Sequence, residues 1–487
     1  MQGGPGRRVG GKELSKKEKL EGLNRENSLN ISQGETVMSS GEKEEKRISR
    51  RDFVRGAAVG AAGVAAASVL AGCAQEATPE VIKETVEVPV EVVKEVEVIK
   101  EVDSKPWLPE KWDEEADVVV AGFGAAGSAA AIDAHDSGAE VIILEKMPFE
   151  GGSIRRCGGA ILGAGTVVQA ALGVEDSPDK LYEWLMLCWA NSNIDPARIR
   201  IIADNAGKNV DWVVEDLGAD MPWELGPPGI NPGLNSTCGL FPNPPGHDTV
   251  EPERSHWMYP EPGYEDEGWE GGMVGGTGLF LPFWNAIKAR GIRVLLETPL
   301  VELVVTPDGE VLGVKAESGG KTLYVKAKKA VFLGTGGWRN NVKMLKNYHP
   351  GASDATISSI EASLQADGEV LKAEDVAGTF LTEPNPQLYS LHADGSGVIA
   401  GMAIGADLVN MQQLDTTNFE CAGGLRINNE AQVIDVFGNV IPRLYAAGCV
   451  TGGTIGQYYA GCGGYVAFAV CFGRIGGKNA AAEKAWS

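Results

Sequence analysis

The stretch from Asp117 to Lys146 has the pattern of a strand, a glycine turn, a helix and a second strand. Gly122, Gly124 and Gly127 form G-x-G-x-x-G between an apolar run and a run of small, helix-permissive residues. In such a turn the first glycine permits the tight bend, the second lets the backbone approach a pyrophosphate, and the third lets the helix pack close to the strand. The stretch therefore predicts a dinucleotide-binding unit of an α/β fold.

Two further features agree with this interpretation. The start of the predicted helix, at Ala125 and Ala126, offers backbone N–H groups and the positive end of the helix dipole to phosphates. Glu145 follows the second apolar run, 18 residues after Gly127, and is placed to accept hydrogen bonds from a ribose. A carboxylate at this position argues against a 2′-phosphate, and therefore against NADP. The alternative is an ordinary glycine-rich turn, because the chain contains 65 glycines.

Composition excludes several classes of protein. The chain has 487 residues, of which 43% are hydrophobic, enough for several domains or for one large domain with an insertion. Its net charge of −23 argues against a nucleic-acid partner, since binding phosphate backbones requires clustered lysine and arginine. The eight cysteines include no C-x-x-C pair, so we expect no zinc, iron–sulfur or haem-attachment site and no metal.

The N-terminal part resembles an export signal. Residues 1–47 are polar and without periodicity, which predicts a disordered leader. Arg50 and Arg51 precede an apolar run, Ala57–Gly72, of 16 residues, which is shorter than the ~20 needed for a membrane-spanning helix. Paired arginines before such a run resemble a twin-arginine signal, here over 48–73. A buried helix of alanine and glycine is the alternative.

The end of this run, Leu70 to Cys73, resembles the lipobox of bacterial lipoproteins, in which Cys73 would be acylated and become the mature N-terminus. The resemblance predicts export by the twin-arginine route and a lipid anchor at the extracytoplasmic face of the cell membrane. Residues 74–113 repeat valine among dense charges, which favours a solvated spacer between this anchor and a folded domain.

Helix and strand patterns in the remainder are separated by two variable regions. Residues 222–276 are rich in proline, glycine and aromatic residues with little periodicity, which predicts a long loop that forms a lid or a binding wall. We predict two helices within 176–219, the second opening at Asp195–Ala197. The other predicted elements are a helix at Leu279–Arg290, preceded by Gly275-Gly276-Thr277, and strands at Arg293–Glu297, Leu300–Thr306, Val311–Ala316 and Ala330–Leu333.

Four motifs follow one another in a specific order: Gly122–Gly127 with Glu145, Gly151-Gly152-Ser153, Gly334–Gly337, and Leu444–Gly448. The series resembles the FAD-dependent flavoproteins of the fumarate reductase and 3-ketosteroid dehydrogenase superfamily (FAD-binding type 2), over most of residues 114–487. The resemblance implies an α/β fold, with a Rossmann-like FAD-binding domain and an inserted substrate or capping domain. The implied FAD-binding segments are 114–190, 276–345 and 418–487, and the implied capping regions are 191–275 and 346–417.

The resemblance also implies which residues hold a non-covalently bound FAD. The first glycine loop would bind the pyrophosphate, Glu145 the adenosine ribose, and the backbone of Val301 the adenine. A helix that starts near Gly464 would point its positive end at the flavin and favour the anionic reduced form. The implied cofactor-binding residues are Gly122, Gly124, Ala125, Ala126, Gly127, Glu145, Lys146, Gly151, Gly152, Ser153, Gly158, Gly159, Val301, Thr335, Gly336, Gly337, Gly448, Gly464 and Tyr465.

The sequence departs from the family's pattern in three places. Relatives carry an acidic residue after the last Ala-Ala-Gly, where this chain has Cys449. Fumarate-type members carry His-Thr before a Gly-Gly pair, where this chain has Cys421-Ala422. They also carry a segment with a catalytic arginine that has no evident counterpart here. Arg339 and Arg426 are the candidates for binding a substrate carboxylate, and a structural role is the alternative for each.

A closer match is the stretch Tyr459-Ala460-Gly461-Cys462-Gly463, which resembles the Tyr-x-Gly-x-Gly turn of ketosteroid dehydrogenases. In those enzymes the tyrosine hydroxyl and the N–H of the second glycine hold the ketone oxygen. Tyr459 and Gly463, with Arg339, are therefore the candidate catalytic residues. A packed tyrosine in a glycine turn is the alternative.

These features favour an exported FAD-dependent oxidoreductase that acts on a CH–CH or C=C bond next to a carbonyl, with hydride exchanged at flavin N5. We expect a small apolar carbonyl substrate, and an electron partner that is a membrane quinone chain or a separate cytochrome. The alternatives are a fumarate- or urocanate-type reductase of an unsaturated acid, and a non-catalytic flavin lipoprotein that transfers electrons. The candidate wall residues for a flat apolar substrate are Trp257, Tyr259, Tyr264, Trp269 and Tyr389.

Overall fold

The computed structural model describes residues 107–189, 194–219, 223–225, 251–258, 274–348, 393–412, 423–453, 455–456 and 460–486. The predicted leader, export signal and lipobox lie outside these residues, as do most of the spacer, Tyr459 and four of the five candidate wall aromatics. None of the helices that the structure describes is long and apolar enough to cross a membrane.

The described secondary structure alternates strands and helices along much of the chain. The helices are α1 (Ala125–Asp136), α2 (Val167–Leu172), α3 (Pro178–Cys188), α4 (Pro196–Asp211), α5 (Val274–Ala289), α6 (Val342–Tyr348), α7 (Ser396–Ala403) and α8 (Gly464–Ala482). The strands are β1 (Glu114–Ala121), β2 (Val141–Leu144), β3 (Ala160–Leu162), β4 (Trp223–Leu225), β5 (Ser255–Met258), β6 (Arg293–Leu295), β7 (Leu300–Val305), β8 (Val311–Ser318), β9 (Lys321–Leu333), β10 (Leu408–Val409), β11 (Gly424–Leu425), β12 (Gln432–Ile434) and β13 (Val440–Ala446).

The largest described sheet has eight strands, and its centre is parallel in the order β13-β9-β1-β2-β6. Val119 of β1 lies opposite Ile142 of β2 on one side and Val331 of β9 on the other. β12 pairs antiparallel at one edge, while β8 pairs with β9 and β7 with β8. The predicted α/β, Rossmann-like architecture is confirmed, and the carboxyl ends of the parallel strands lie along one edge, where such sheets bind ligands.

Close packing of α1 and α8 covers the central strands. Val118 to Val120 are fully buried, as continuous apolar strands are when both faces of a parallel sheet are covered. The two helices approach through small residues, because a Cβ at Gly477 would lie 2.3 Å from the carbonyl oxygen of Ala130. Gly473 faces Ala126 in the same way. α8 therefore has a fixed position relative to the first glycine loop.

A smaller antiparallel sheet in the order β3-β5-β4 joins two strands of the predicted capping part, β4 and β5, to β3, which lies in a predicted FAD-binding segment. It pairs Ala160 with Trp257 and Leu162 with Ser255. The prediction of a loop throughout 222–276 is therefore wrong for β4 and β5. The composition is rich in proline and glycine, which favours loops. These two short strands could not be predicted from it, because β5 pairs with strands that are distant in sequence.

Three predicted boundaries also differ from the structure. The spacer ends before residue 113, because the ring of Trp112 packs against Trp486 with centroids 6.3 Å apart. α5 begins at Val274, so Gly275-Gly276-Thr277 lies inside the helix instead of preceding it. Residues 393–412, predicted to belong to the capping part, instead pack on the main body through contacts between α7 and β7 and the pairing of β10 with β11.

Candidate active site

The first glycine loop touches the loop that follows β9. Gly334 donates its N–H to the carbonyl oxygen of Ala121 at 2.7 Å, which continues the ladder between β1 and β9. A Cβ at Gly127 would lie 1.9 Å from the carbonyl oxygen of Gly122, so the turn closes only with glycine at this position. Two glycine loops predicted from separate motifs thus meet at the carboxyl edge of the sheet.

Open space remains at Gly124, the residue that precedes α1. Among the described residues no atom lies within 4 Å of a Cβ built at Gly124, and no side chain caps the first turn of α1. The helix terminus therefore presents backbone N–H groups, including those of Ala125 and Ala126, toward open space. This arrangement fits a pyrophosphate.

The Gly151-Gly152-Ser153 motif lies against the same loop. The N–H of Gly151 donates to the carbonyl oxygen of Phe123 at 3.1 Å. A Cβ at Gly152, which has φ of +47°, would be 3.6 Å from the Cα of Gly124. Ser153 then begins a short 3₁₀ turn, and the chain continues through Gly158 and Gly159 into β3. The motif is thus placed between the first loop and the smaller sheet.

The Glu145 carboxylate lies at the end of β2 and accepts two backbone hydrogen bonds. They come from the N–H of Phe123 at 2.8 Å and from that of Met147 at 2.9 Å. Burial raises the pKa of the Glu145 carboxyl, while these two N–H groups and the neighbouring Lys146 ammonium lower it in part. Each carboxylate oxygen has a second lone pair, so the group retains capacity to accept ribose hydroxyls.

Lys146 connects this position to a residue that the sequence analysis missed. Its ammonium forms an ion pair of 3.0 Å with Asp394, which also accepts the N–H of Ser396 in the first turn of α7. Burial acts to raise the pKa of the Asp394 carboxyl, but the Lys146 charge and the Ser396 N–H together outweigh it and hold the pKa below its ordinary value. The Asp-Gly pair before an apolar, small-residue stretch was the sequence signal available for this helix start.

Four other predicted cofactor-binding residues lie on β7 (Val301) and on the loop after β9 (Thr335, Gly336 and Gly337). The N–H of Thr298 donates to the carbonyl oxygen of Glu145 at 2.8 Å, and Val301 follows three residues later in β7. Thr335 has a buried hydroxyl oxygen without a hydrogen-bond partner among the described residues, and Gly336 is open on its Cβ side. The carbonyl oxygen of Gly337 accepts the N–H of Gly395, which joins α7 to this loop.

The fourth predicted cofactor motif, Leu444–Gly448, contacts α1. The N–H of Ala447 donates to the carbonyl oxygen of Leu333, so Gly448 emerges beside the loop after β9. A Cβ at Gly448 would be 3.2 Å from the Cβ of Ala126. Gly464 and Tyr465 form the first turn of α8. These contacts bring the fourth motif to the same edge as the first three.

The turn at the start of α8, residues 460–464, is held in place by hydrogen bonds that its carbonyl oxygens accept. Trp184 Nε1 donates to the carbonyl oxygen of Ala460 at 2.7 Å. Ser255 Oγ donates to that of Cys462 at 2.9 Å. The N–H of Leu162 in β3 donates to the carbonyl oxygen of Gly463 at 3.3 Å. Residues of α3, β5 and β3 thus hold three carbonyl groups of one turn.

The surroundings of this turn are apolar. Cys462 packs with Ala160 and with the half-buried indole of Trp257. A Cβ at Gly158 would be 2.9 Å from that indole. His256, the residue before Trp257 on β5, lies on the opposite face of the strand and is fully buried. Trp257 is therefore a wall residue beside the predicted catalytic turn.

Of the two candidate arginines, Arg339 lies in the segment after β9, and Arg426 directly follows β11. Arg339 is 9% exposed and follows Trp338, whose Nε1 donates to the carbonyl oxygen of Gly423 at 2.8 Å. Arg426 is half-exposed and forms an ion pair of 3.2 Å with Asp407. Arg426 therefore has a carboxylate partner within the protein, which favours the structural alternative.

A sequence model of the FAD binding domain family matches residues 117–392 and 410–466, which include all four motifs. The chain belongs to this family. The open space at Gly124 and the carboxylate acceptor at Glu145 fit FAD at the carboxyl edge of the sheet. The predicted resemblance is confirmed at this level.

Known relatives of the FAD binding domain family include reductases of several substrates. NADH:fumarate oxidoreductase of Klebsiella pneumoniae is 30% identical over 301 residues, which cover 61% of this chain and 28% of the relative. Digoxin reductase of Eggerthella lenta is 22% identical over an alignment of 587 residues, which covers 91% of this chain and 98% of the relative. The chain spans 28 to 46% of the length of its fumarate- and urocanate-reducing relatives.

A solved structure of a ketosteroid dehydrogenase has a similar fold. The 3-ketosteroid-Δ4-(5α)-dehydrogenase of Rhodococcus jostii RHA1, in complex with 4-androstene-3,17-dione, superposes with a TM-score of 0.58 at 22% identity. The superposition covers 77% of this chain and 98% of that chain. The fold of the described residues is therefore similar to that of this dehydrogenase.

Proposed function

We propose that this chain is an FAD-dependent oxidoreductase that acts on a carbon–carbon bond next to a ketone in a flat, apolar substrate. The observation that carries the proposal is the turn at residues 460–464, docked on β3 and β5 beside Trp257. The similarity to a ketosteroid dehydrogenase and to a digoxin reductase supports the same substrate class.

The charge pattern of this wall favours a ketone over a carboxylate. Arg254, the cation next to β5, is fully buried and forms a bidentate ion pair with Asp176 at 2.8 and 3.0 Å. It also pairs with Glu251 at 2.8 Å, so its charge is neutralised within the protein. Burial lowers the pKa of His256 to about 4, so this imidazole is neutral at neutral pH.

FAD, when bound, would supply hydride exchange with the carbon β to the ketone. Residues of this chain would then stabilise the negative charge that collects on the ketone oxygen. The N–H of Gly463 and the hydroxyl of Tyr459 are the proposed donors to that oxygen. Donors fixed before the reaction stabilise the enolate more than the ketone and so lower the barrier.

The test is a substrate panel under anaerobic conditions. Enzyme with chemically reduced flavin is mixed with 4-androstene-3,17-dione, fumarate or urocanate, and the return of oxidised-flavin absorbance is followed. The proposal expects rapid reoxidation by the enone and little by the two acids. Reoxidation by the acids alone would overturn it, and reoxidation by none of the three would support an electron-transfer role.

A second candidate function is reduction of an unsaturated carboxylic acid. It is favoured by the 30% identity to a fumarate oxidoreductase and to a urocanate reductase. Arg339 would bind the carboxylate in this case. Arg339→Gln would then raise the KM for the acid and leave enone binding unchanged, which separates the two functions.

We propose further that FAD is held without a covalent bond and that electrons are exchanged with a membrane quinone chain or a separate cytochrome. Export by the twin-arginine route and a lipid anchor at Cys73 would place the enzyme beside such carriers. The motivation is the sequence from Arg50 to Cys73. Acid precipitation of the protein should release all flavin into the supernatant, whereas flavin retained in the pellet would contradict the non-covalent link.

Localisation is tested in the protein's own host. Cys73→Ser should abolish incorporation of labelled fatty acid, and replacing Arg50 and Arg51 by lysine should leave the precursor in the cytoplasm. Wild-type protein found in the cytoplasm with residues 48–72 intact would end this proposal.

A further inference from the structure

We propose that Glu297 belongs to the adenine subsite of the cofactor site, where its carboxylate accepts a hydrogen bond from the exocyclic amino group of adenine. This role rests on the proposed FAD-dependent function, but it concerns the cofactor and is the same for either candidate substrate. Glu297 lies outside the glycine motifs and is 152 residues after Glu145 in number only, because the two residues are neighbours in the fold.

The order of the strands indicates where the adenine lies. Gly124, at the proposed pyrophosphate position, lies just after β1, and the proposed ribose acceptor Glu145 directly follows β2. The next strand on that side is β6, which runs parallel to β2 with Leu295 opposite Leu144. In a dinucleotide the base is attached to the ribose on the side away from the phosphates, so it extends from the end of β2 over the end of β6. Residues 296–299, which follow β6, therefore border the adenine.

Backbone hydrogen bonds hold this segment against the ribose position. The N–H of Glu145 donates to the carbonyl oxygen of Leu295 at 2.9 Å, and the N–H of Thr298 donates to that of Glu145 at 2.8 Å. Between these two bonds, the N–H of Glu297 donates to the carbonyl oxygen of Met147 at 3.0 Å. Glu297 is thus held next to the segment that carries the ribose acceptor.

The backbone of Glu297 has an unfavourable conformation. Its φ is +49°, in the left-handed region that residues with a side chain rarely adopt. Glycine would adopt the same conformation without strain. Strained residues cluster at ligand sites, where the function of the residue offsets the strain. A glutamate at this position is therefore explained by what its side chain binds.

The carboxylate of Glu297 is accessible to a ligand. The residue is exposed, and within the part of the chain that the structure describes its carboxylate has no hydrogen bond or ion pair. Adenine carries an amino group with two N–H donors at the position where guanine carries a carbonyl acceptor. A carboxylate beside this edge accepts from adenine and repels guanine, so it contributes selectivity for the adenine dinucleotide.

The test compares FAD with its analogue that carries unsubstituted purine in place of adenine and therefore lacks only the amino group. Each ligand is titrated into the apoprotein of the wild type, Glu297→Ala, Glu297→Gln and the control Glu140→Ala, and the change in flavin fluorescence gives the affinity. Glu140 is an exposed carboxylate that immediately precedes β2, at the opposite edge of the sheet, and pairs with Lys328 at 3.4 Å.

We expect the wild type and Glu140→Ala to bind FAD about 10-fold more tightly than the purine analogue, because the hydrogen bond to the charged carboxylate is lost with the amino group. Glu297→Ala should bind FAD about 10-fold more weakly than the wild type and should bind the two ligands equally. Glu297→Gln keeps a carbonyl acceptor without the charge and should fall between them.

Glu297→Gly separates the carboxylate from the backbone conformation. It should show the ligand affinities of Glu297→Ala, because both variants lack the carboxylate. The thermal unfolding midpoint of its apoprotein should be higher than that of Glu297→Ala, because glycine adopts the φ of +49° without strain. A midpoint no higher than that of Glu297→Ala would overturn the inferred strain.

Two further results would overturn the adenine contact. One is a preference for FAD over the purine analogue that is as large in Glu297→Ala as in the wild type. The other is an equal loss of affinity for both ligands in Glu297→Ala, which would make Glu297 a residue that only shapes the loop. Failure of the FAD placement itself looks different, because Glu145→Ala would then bind both ligands as tightly as the wild type.

Discussion

The backbone N–H of Phe123, in the first glycine loop, donates to the Glu145 carboxylate at the end of the next strand, with 2.8 Å between N and O. The carboxylate is thereby fixed beside the loop that would hold the pyrophosphate. One side chain would thus couple the shape of the loop to recognition of the ribose.

Glu145→Ala should therefore weaken FAD binding by roughly 1–3 kcal/mol, the cost of losing a hydrogen bond to a charged group. Equilibrium titration of the apoprotein with FAD measures this loss. Glu302→Ala is the control, because Glu302 is an exposed carboxylate that pairs with Lys315 on the surface. Unchanged FAD affinity in Glu145→Ala would remove Glu145 from the site.

Two glycines of the first loop should respond differently to alanine. Gly124 has φ of −92° and open space on its Cβ side, so Gly124→Ala should leave the stability of the apoprotein unchanged. Its methyl group would occupy the proposed pyrophosphate position and weaken FAD binding by roughly 10- to 100-fold, as for 1–3 kcal/mol of overpacking.

Gly127→Ala should instead unfold or strongly destabilise the apoprotein, because its Cβ would collide with the carbonyl oxygen of Gly122. Thermal unfolding of both apoproteins, followed by FAD titration, separates the two effects. A Gly124→Ala protein that binds FAD as the wild type does would contradict the placement of the pyrophosphate.

The buried histidine on β5 predicts how stability depends on pH. His256 makes hydrogen-bond contacts of 2.8 Å with Thr166 Oγ1 and 2.9 Å with the carbonyl oxygen of Arg254. Burial lowers its pKa to about 4, so between pH 4 and the ordinary value of about 6.5 the unfolded chain binds more protons. The neutral state of His256 therefore contributes about 3 kcal/mol to the free energy of unfolding above pH 6.5, and this contribution is lost as the pH falls toward 4.

His256→Gln removes the titrating group and should flatten the decrease in unfolding free energy between pH 6.5 and 4. Denaturant unfolding at several pH values measures this slope. His135→Gln is the control, since His135 lies on the surface of α1. A slope that is the same in wild type and His256→Gln would contradict the buried, neutral state of His256.

The spacing of neighbouring residues predicted the glycine loop and Glu145 from the sequence. The smaller sheet could not be predicted in this way, because its contacts join residues that are distant in sequence. Gly122 to Gly127 and Glu145 lie within one strand–helix–strand unit, so spacing alone indicated their relationship. Ser255, by contrast, bonds to Cys462, 207 residues away, and Arg254 pairs with Asp176, 78 residues away. No local pattern reports such partners, and the proline- and glycine-rich composition around β5 favoured a loop.

A similar reason explains why Asp394 was missed. Its side chain forms an ion pair with Lys146, which is remote in the sequence. The helix that it precedes, α7, starts in a region without strong periodicity. The candidate catalytic turn was predicted from its resemblance to a known motif. The residues that hold its carbonyls, Trp184 and Ser255, were visible only in the folded chain.

Electrons should not reach this polypeptide directly from NADH. The sequence contains one strand–glycine–helix fingerprint, and the proposed FAD site uses it. The relative named NADH:fumarate oxidoreductase matches this chain over only 28% of its own length. Stopped-flow mixing with NADH should leave the flavin oxidised over the time of turnover, with dithionite as the positive control. Rapid flavin reduction by NADH would contradict this prediction.

The most direct test of the proposed function is the rate at which 4-androstene-3,17-dione reoxidises the reduced flavin of Tyr459→Phe, relative to the wild type. The substitution keeps the ring and removes only the hydroxyl proposed to hold the ketone oxygen. We predict normal FAD content and folding with a rate at least ~10²-fold lower. A rate equal to that of the wild type would make Tyr459 a packing residue and contradict the proposed oxyanion site.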